Sequence, residues 1–159
     1  MTRPTQYSWT AFTVAALATT LAVGLFVVAS GQAVAAEGED LGKRMVKYIE
    51  YEQTIQLNDQ QEAIKREALE AIPAPCCSDN TAYTCCCPCN MARTIWGLAA
   101  HLIHNEGADA KQVKKATEDW IAEINPSGFS GDVCYTRGGC MRPMDQNGCG
   151  GMSPSRLAL

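Results

Sequence analysis

The chain reads as mainly α: a small three- to four-helix domain, preceded by a signal or transmembrane segment and followed by an irregular Cys/Gly/Met-rich C-terminal region wrapped onto it. Three observations predict this. Apolar residues recur at three- and four-residue steps from Asp40 to Ile72 and again from Pro88 to Ile124. Proline, glycine and Asx residues punctuate those stretches where helices should start and stop. Residues 126–159 carry many glycines without any period, and no part of the chain is rich in strand signals. The resulting division is 1–36, 37–125 and 126–159.

The first division is an export segment. Met1–Ser8 holds one cation, Arg3, and no acid, and Trp9–Ser30 is then almost wholly apolar or Thr/Ser. Small residues at Ala33, Ala35 and Ala36 suit signal-peptidase cleavage. The same run is long enough to stay as a membrane anchor, which takes ~20 residues. Either way residues 37–159 are expected outside the cytoplasm, in the periplasm or on the outer face of a bacterial cytoplasmic membrane.

The helices follow in order. Leu41, Met45, Tyr48, Ile49 and Ile55 line one side of a first helix, and Asn58 or Asp59 caps a second bearing Ala63, Ile64, Ala68, Leu69 and Ile72. Pro73 and Pro75 stop it, because proline lacks an amide hydrogen and restricts the residue before it. A third helix, from about Pro88 to His104, has Met91, Ile95, Leu98 and Leu102 in one row. Gly107 ends it. Asp109 with Gln112 forms a capping box for a fourth, carrying Val113, Ala116, Trp120, Ile121 and Ile124. These two should pack as an antiparallel hairpin with Trp96 and Trp120 in the core.

The chemistry lies in the cysteines. Six fall in one short stretch: Cys76, Cys77, Cys85, Cys86, Cys87 and Cys89, and Cys134, Cys140 and Cys149 follow. The total of nine is odd, so pairing within one chain leaves a thiol over. Outside the cytoplasm such thiols are oxidised, or are kept reduced by a metal or a dedicated reductant. Cys86-Cys87-Pro88-Cys89 opens a helix, where free amides and the helix dipole should lower the pKa of Cys86 or Cys87. A thiolate there serves equally as nucleophile or as metal ligand.

Three further features bear on the choice. Three consecutive cysteines exceed what a dithiol exchanger needs. In the tail, Cys140, Met141 and Met144, then Cys149 and Met152, pair thiolate with thioether, a combination that favours monovalent copper. Zinc and iron–sulfur clusters are the alternatives and would use the cysteines alone. His101 and His104 lie roughly three turns from Cys89, too far to share its site. Plain structural disulfides among the tail cysteines, or from Cys76 and Cys77 to the C-C-C-P-C segment, remain open. With a net charge of −4 and no basic block, nucleic acid is not an expected partner.

Residues 76–125 resemble two groups in topology and spacing. One is the exported cysteine-rich proteins with a PCYCGC-type motif; here Cys85-Cys86-Cys87-Pro88-Cys89 precedes Asn90–His104 and Asp109–Ile124. The other is the three-helix thiol oxidoreductase domain of bacterial cytochrome c maturation. That resemblance implies Cys86 and Cys89 as the exchanging pair.

The expectation is therefore an exported protein that holds a soft metal ion, copper first, for storage, delivery or detoxification. Cys85, Cys86, Cys87 and Cys89 would be core ligands, with Cys76 and Cys77 closing the site. Cys140, Met141, Met144, Cys149 and Met152 would form a second or completing set. The alternative is a membrane-associated thiol–disulfide oxidoreductase in which Cys86 attacks and Cys89 resolves. A disulfide-stapled accessory subunit of a membrane complex is the third reading. A protein that exchanges metal or thiols is the expected partner, with the membrane itself if residues 9–30 stay attached.

Overall fold

The structure, a computed structural model, describes residues 37–77, 79–126, 139–146 and 148–159. The expected export segment and Cys134 lie outside the described residues. Among the described residues no helix is long and apolar enough to cross a membrane.

The described chain is mainly helical. It comprises α1 (Glu37–Thr54), α2 (Asp59–Glu70), α3 (Asn90–Glu106) and α4 (Ala110–Ile124), with single turns of 3-10 helix at Gly139–Met141 and Met144–Gln146. Local chemistry sets the helix ends. Asn58 Oδ1 accepts from the Gln61 amide at 2.9 Å, and Gln61 Oε1 accepts from the Asn58 amide at 3.2 Å. Asp109 and Gln112 make the same reciprocal pair at 2.8 and 2.9 Å. Such a cap contributes about 1 kcal/mol to a helix. Gly107 closes α3 at φ 67°, a left-handed position that a β-carbon disfavours.

Helix α3 is central, since α1, α2 and α4 all pack on it. Met45 of α1, Leu69 of α2, Met91 and Ile95 of α3, and Val113 of α4 are fully buried together. Burying each such side chain contributes roughly 1.5–3 kcal/mol. The α1–α3 crossing is close because Gly97 faces the α1 backbone: a β-carbon there would lie 1.7 Å from the Tyr48 carbonyl oxygen. Arg93 Nη1 donates to Glu52 Oε2 at 2.9 Å beside the crossing. Trp120 is buried as expected, and its Nε1 donates to Thr94 Oγ1 at 3.0 Å, joining α4 to α3. Trp96 is only partly buried; its Nε1 donates to the Ala82 carbonyl at 2.9 Å. It fastens the cysteine loop to α3 while its ring packs against the edge of the core.

Candidate functional site

Two irregular segments meet at the N-terminus of α3. The first runs from the end of α2 to Cys89. Its base is a short antiparallel pairing: the Ala82 amide donates to the Ile72 carbonyl at 2.8 Å, and the Ala74 amide to the Asn80 carbonyl at 2.9 Å. This turns Cys76 and Cys77 inward, and both are buried. Thr81 and Thr84 then exchange side-chain-to-amide hydrogen bonds at 3.1 and 3.2 Å, which tightens the turn into Cys85.

The second segment comes from the C-terminus. Carbonyls of Gly151 and Cys149 accept from the amides of Asn90 and Met91 at 2.8 and 3.1 Å. Helix-start amides have no intrahelical partner, so a returning chain segment satisfies them. Asn90, fully buried, reinforces this: its Nδ2 donates to Gly150 O, Ser153 O and Arg156 O at 2.8, 2.9 and 3.3 Å. Gly150 and Gly151 adopt φ 72° and 90°, which glycine permits. Cys149 is thereby delivered to the cluster from the far end of the chain.

Four sulfurs close a ring there. Cys85 is in hydrogen-bond contact with Cys76 and Cys89, and Cys149 is in contact with the same two. Cys76, Cys89 and Cys149 are 0% exposed, and Cys85 is partly buried. Cys76 and Cys89 donate to Cys85, and the amides of Cys87 and Cys86 add to them. Together they outweigh burial and hold the Cys85 thiol down at about 3. Cys149 lowers Cys89, but donation to Cys85 and burial prevail and push it up to about 12. Contacts with Cys76 and Cys89, then burial, push Cys149 upward. The contacts thus favour the thiolate form at Cys85 and the thiol form at Cys89 and Cys149. Among the described residues no group of three or more His, Cys, Asp or Glu side chains is already drawn into metal-holding geometry. The ring is a hydrogen-bonded set of sulfurs, and an ion would have to displace its shared protons.

The expected site is therefore regrouped. Cys86 is exposed and lies 3.6 Å, sulfur to sulfur, from Cys87. Cys77 accepts from Asn80 Nδ2 at 3.1 Å. Cys86 does not have the lowered pKa expected of a helix-start thiol: burial first, then the Cys87 thiol, push it up to about 12. The reason is positional. Helix α3 begins at Asn90 with Cys89 as its cap residue, and the first amides already serve Gly151 and Cys149. Of the tail residues, Cys149 joins the ring, Met144 is buried in the core and Cys140 is packed against that core. Met141 is 73% and Met152 39% exposed. His101 stacks on Tyr51 at 4.3 Å between ring centroids, and its Nε2 lies 3.2 Å from Glu106 Oε1; His104 is exposed.

The residue that sequence reasoning passed over is Asn90. A polar side chain directly after Cys-x-Pro-Cys, in the first turn of an otherwise apolar helix face, was the available signal. No protein-family model matches the chain, and no curated protein or solved structure matches it either.

Proposed function

We propose that the chain binds one thiophilic metal ion in the ring formed by Cys76, Cys85, Cys89 and Cys149, and that its work is to hold or hand over that ion. The observation that carries this reading is the closed ring of four sulfurs, each in contact with two others, drawn from three separate stretches of sequence. Packing alone gives no reason to gather four cysteines. Four thiolates are a donor set for zinc, for an iron–sulfur cluster or for soft monovalent copper. Met144 is buried in the same cluster as Cys76, Cys89 and Cys149, whereas Met141 and Met152 are exposed. The thiols of Cys76 and Cys89 beside Cys85 favour its thiolate, the form that binds a metal ion.

The test is equilibrium dialysis of the reduced full chain in detergent against zinc and, separately, against a monovalent copper complex, followed by elemental analysis. One ion per chain that is lost in Cys149→Ser supports the reading. No retained ion with either metal, under reducing conditions, overturns it.

A second reading, thiol–disulfide exchange, is favoured by one observation. Cys85 has the depressed pKa of a nucleophilic thiol and touches two candidate resolving thiols, Cys76 and Cys89. In this form the attacking residue is Cys85, in place of the Cys86 first expected. Trapping a mixed disulfide with a partner in Cys76→Ser or Cys89→Ser would support it.

A further inference from the structure

Outside the ring stands a second, separate sulfur pair. Cys86 and Cys87 place their sulfurs 3.6 Å apart, with Cys86 exposed and Cys87 partly so. Two thiolates bound to one tetrahedral ion at ~2.3 Å stand about 3.8 Å apart, so this pair needs almost no rearrangement to grip one. Cys86 is also the chain neighbour of Cys85, the one ring member that is not fully buried. The other three ring sulfurs are inaccessible to a donor molecule.

We propose that the Cys86–Cys87 dithiol is the exchange port of the site, where a thiophilic metal ion is taken from, or returned to, an external thiol-bearing donor on its way to the buried ring. This rests on the ring holding such an ion. The passage is a series of ligand exchanges. The Cys86 and Cys87 sulfurs each lose a proton and bond to the ion, and the donor's thiolates leave and take up protons. Cys85 then bonds to the ion from within the ring, and the Cys86 and Cys87 bonds break as Cys76, Cys89 and Cys149 give up their protons and close around it; two protons return to the Cys86 and Cys87 sulfurs and the rest pass to solvent. The ion keeps its charge throughout and no electrons are transferred.

The experiment follows uptake of zinc from a zinc–glutathione complex by the reduced full chain in detergent, sampled over time by native mass spectrometry. In the double variant Cys86→Ser/Cys87→Ser the uptake rate should fall by about an order of magnitude, as thiol exchange slows when the accessible attacking sulfur is removed. The final load should stay at one ion per chain. Uptake at the wild-type rate overturns the port while leaving the ring intact. A reduced final load also overturns it, because these sulfurs would then be permanent ligands. Failure of the wild type to take up any ion overturns the ring and the port together. Both substituted residues lie outside the core, and circular dichroism of the variant checks that the helices are retained.

Discussion

The side-chain amide of Asn90 donates to the carbonyl of Gly150 at 2.8 Å, across 60 residues of sequence. Through this bond and its two companions to Ser153 and Arg156, one buried residue at the start of α3 holds the C-terminal segment in place. The same segment carries Cys149 into the sulfur ring. Fold and site are thus joined at the first turn of α3, by this side chain together with the Asn90 and Met91 amides.

Replacing Asn90 with alanine should uncouple them. The carbonyls of Gly150, Ser153 and Arg156 lose a donor and a fully buried side chain is truncated, at a cost of about 1–3 kcal/mol. Urea unfolding monitored by circular dichroism reads that loss. Affinity for the bound ion should weaken by about 10–100-fold, the usual effect of removing a residue that positions a ligand. An Asn90→Ala protein with wild-type affinity would show that Cys149 is placed by other contacts.

Gly97→Ala separates close helix packing from helix propensity. In an open helix this change would stabilise by up to about 1 kcal/mol. Here the added β-carbon would lie 1.7 Å from the Tyr48 carbonyl oxygen, so α1 must move. The expected outcome is destabilisation by about 3 kcal/mol, at the upper end of overpacking effects. Thermal unfolding gives the sign directly.

The ring makes the stability of the metal-free protein depend on pH in two opposed ways. Cys85 has its folded pKa depressed to about 3 from an ordinary value of 9.0. Its contribution is complete above the ordinary value and fades as pH falls toward about 3. Cys89 is raised to about 12, so its contribution is complete below the ordinary value and is lost as pH rises toward about 12. Cys149 acts in the same direction as Cys89. Unfolding free energy, measured in urea between pH ~4 and ~11, should climb up to the ordinary thiol value of 9.0 and decline above it. In Cys85→Ser the acid limb should flatten relative to wild type, a difference that cancels the carboxylates common to both proteins.

The exposed thioethers offer a contrast. Met141→Ala and Met152→Ala remove side chains that stand largely in solvent. Each should change metal affinity by less than about twofold and stability by less than about 0.5 kcal/mol, as for ordinary surface positions. A larger loss of copper affinity, measured by competition with a copper chelator, would place these methionines among the ligands.

Much of the fold was legible because its signals are local. Asn58 with Gln61 and Asp109 with Gln112 cap the helices their spacing predicts, and Gly107 stops α3 where a left-handed residue is needed. The site was less legible because its grouping is not local. Cys85, Cys86 and Cys87 are consecutive, yet in a turn their side chains diverge, and only Cys85 enters the ring. Cys149 belongs with Cys76 and Cys89 because α3 has amides to satisfy and the tail supplies carbonyls. That pairing of backbone groups leaves no mark in side-chain spacing. The depressed pKa expected near Cys86 falls on Cys85 instead, since surrounding thiols and turn amides outweigh a helix end that is already occupied.

The central claim is that four sulfurs, and these four, hold one ion. Native mass spectrometry of the reduced, metal-loaded full chain released from detergent tests it most directly, run beside Cys76→Ser, Cys85→Ser, Cys89→Ser, Cys149→Ser and Cys77→Ser. The account predicts one ion in wild type and Cys77→Ser, with loss of protons from the ring thiols. It predicts no stably held ion in the four ring variants. A wild-type mass without metal, or an ion that survives Cys149→Ser unchanged, would contradict it.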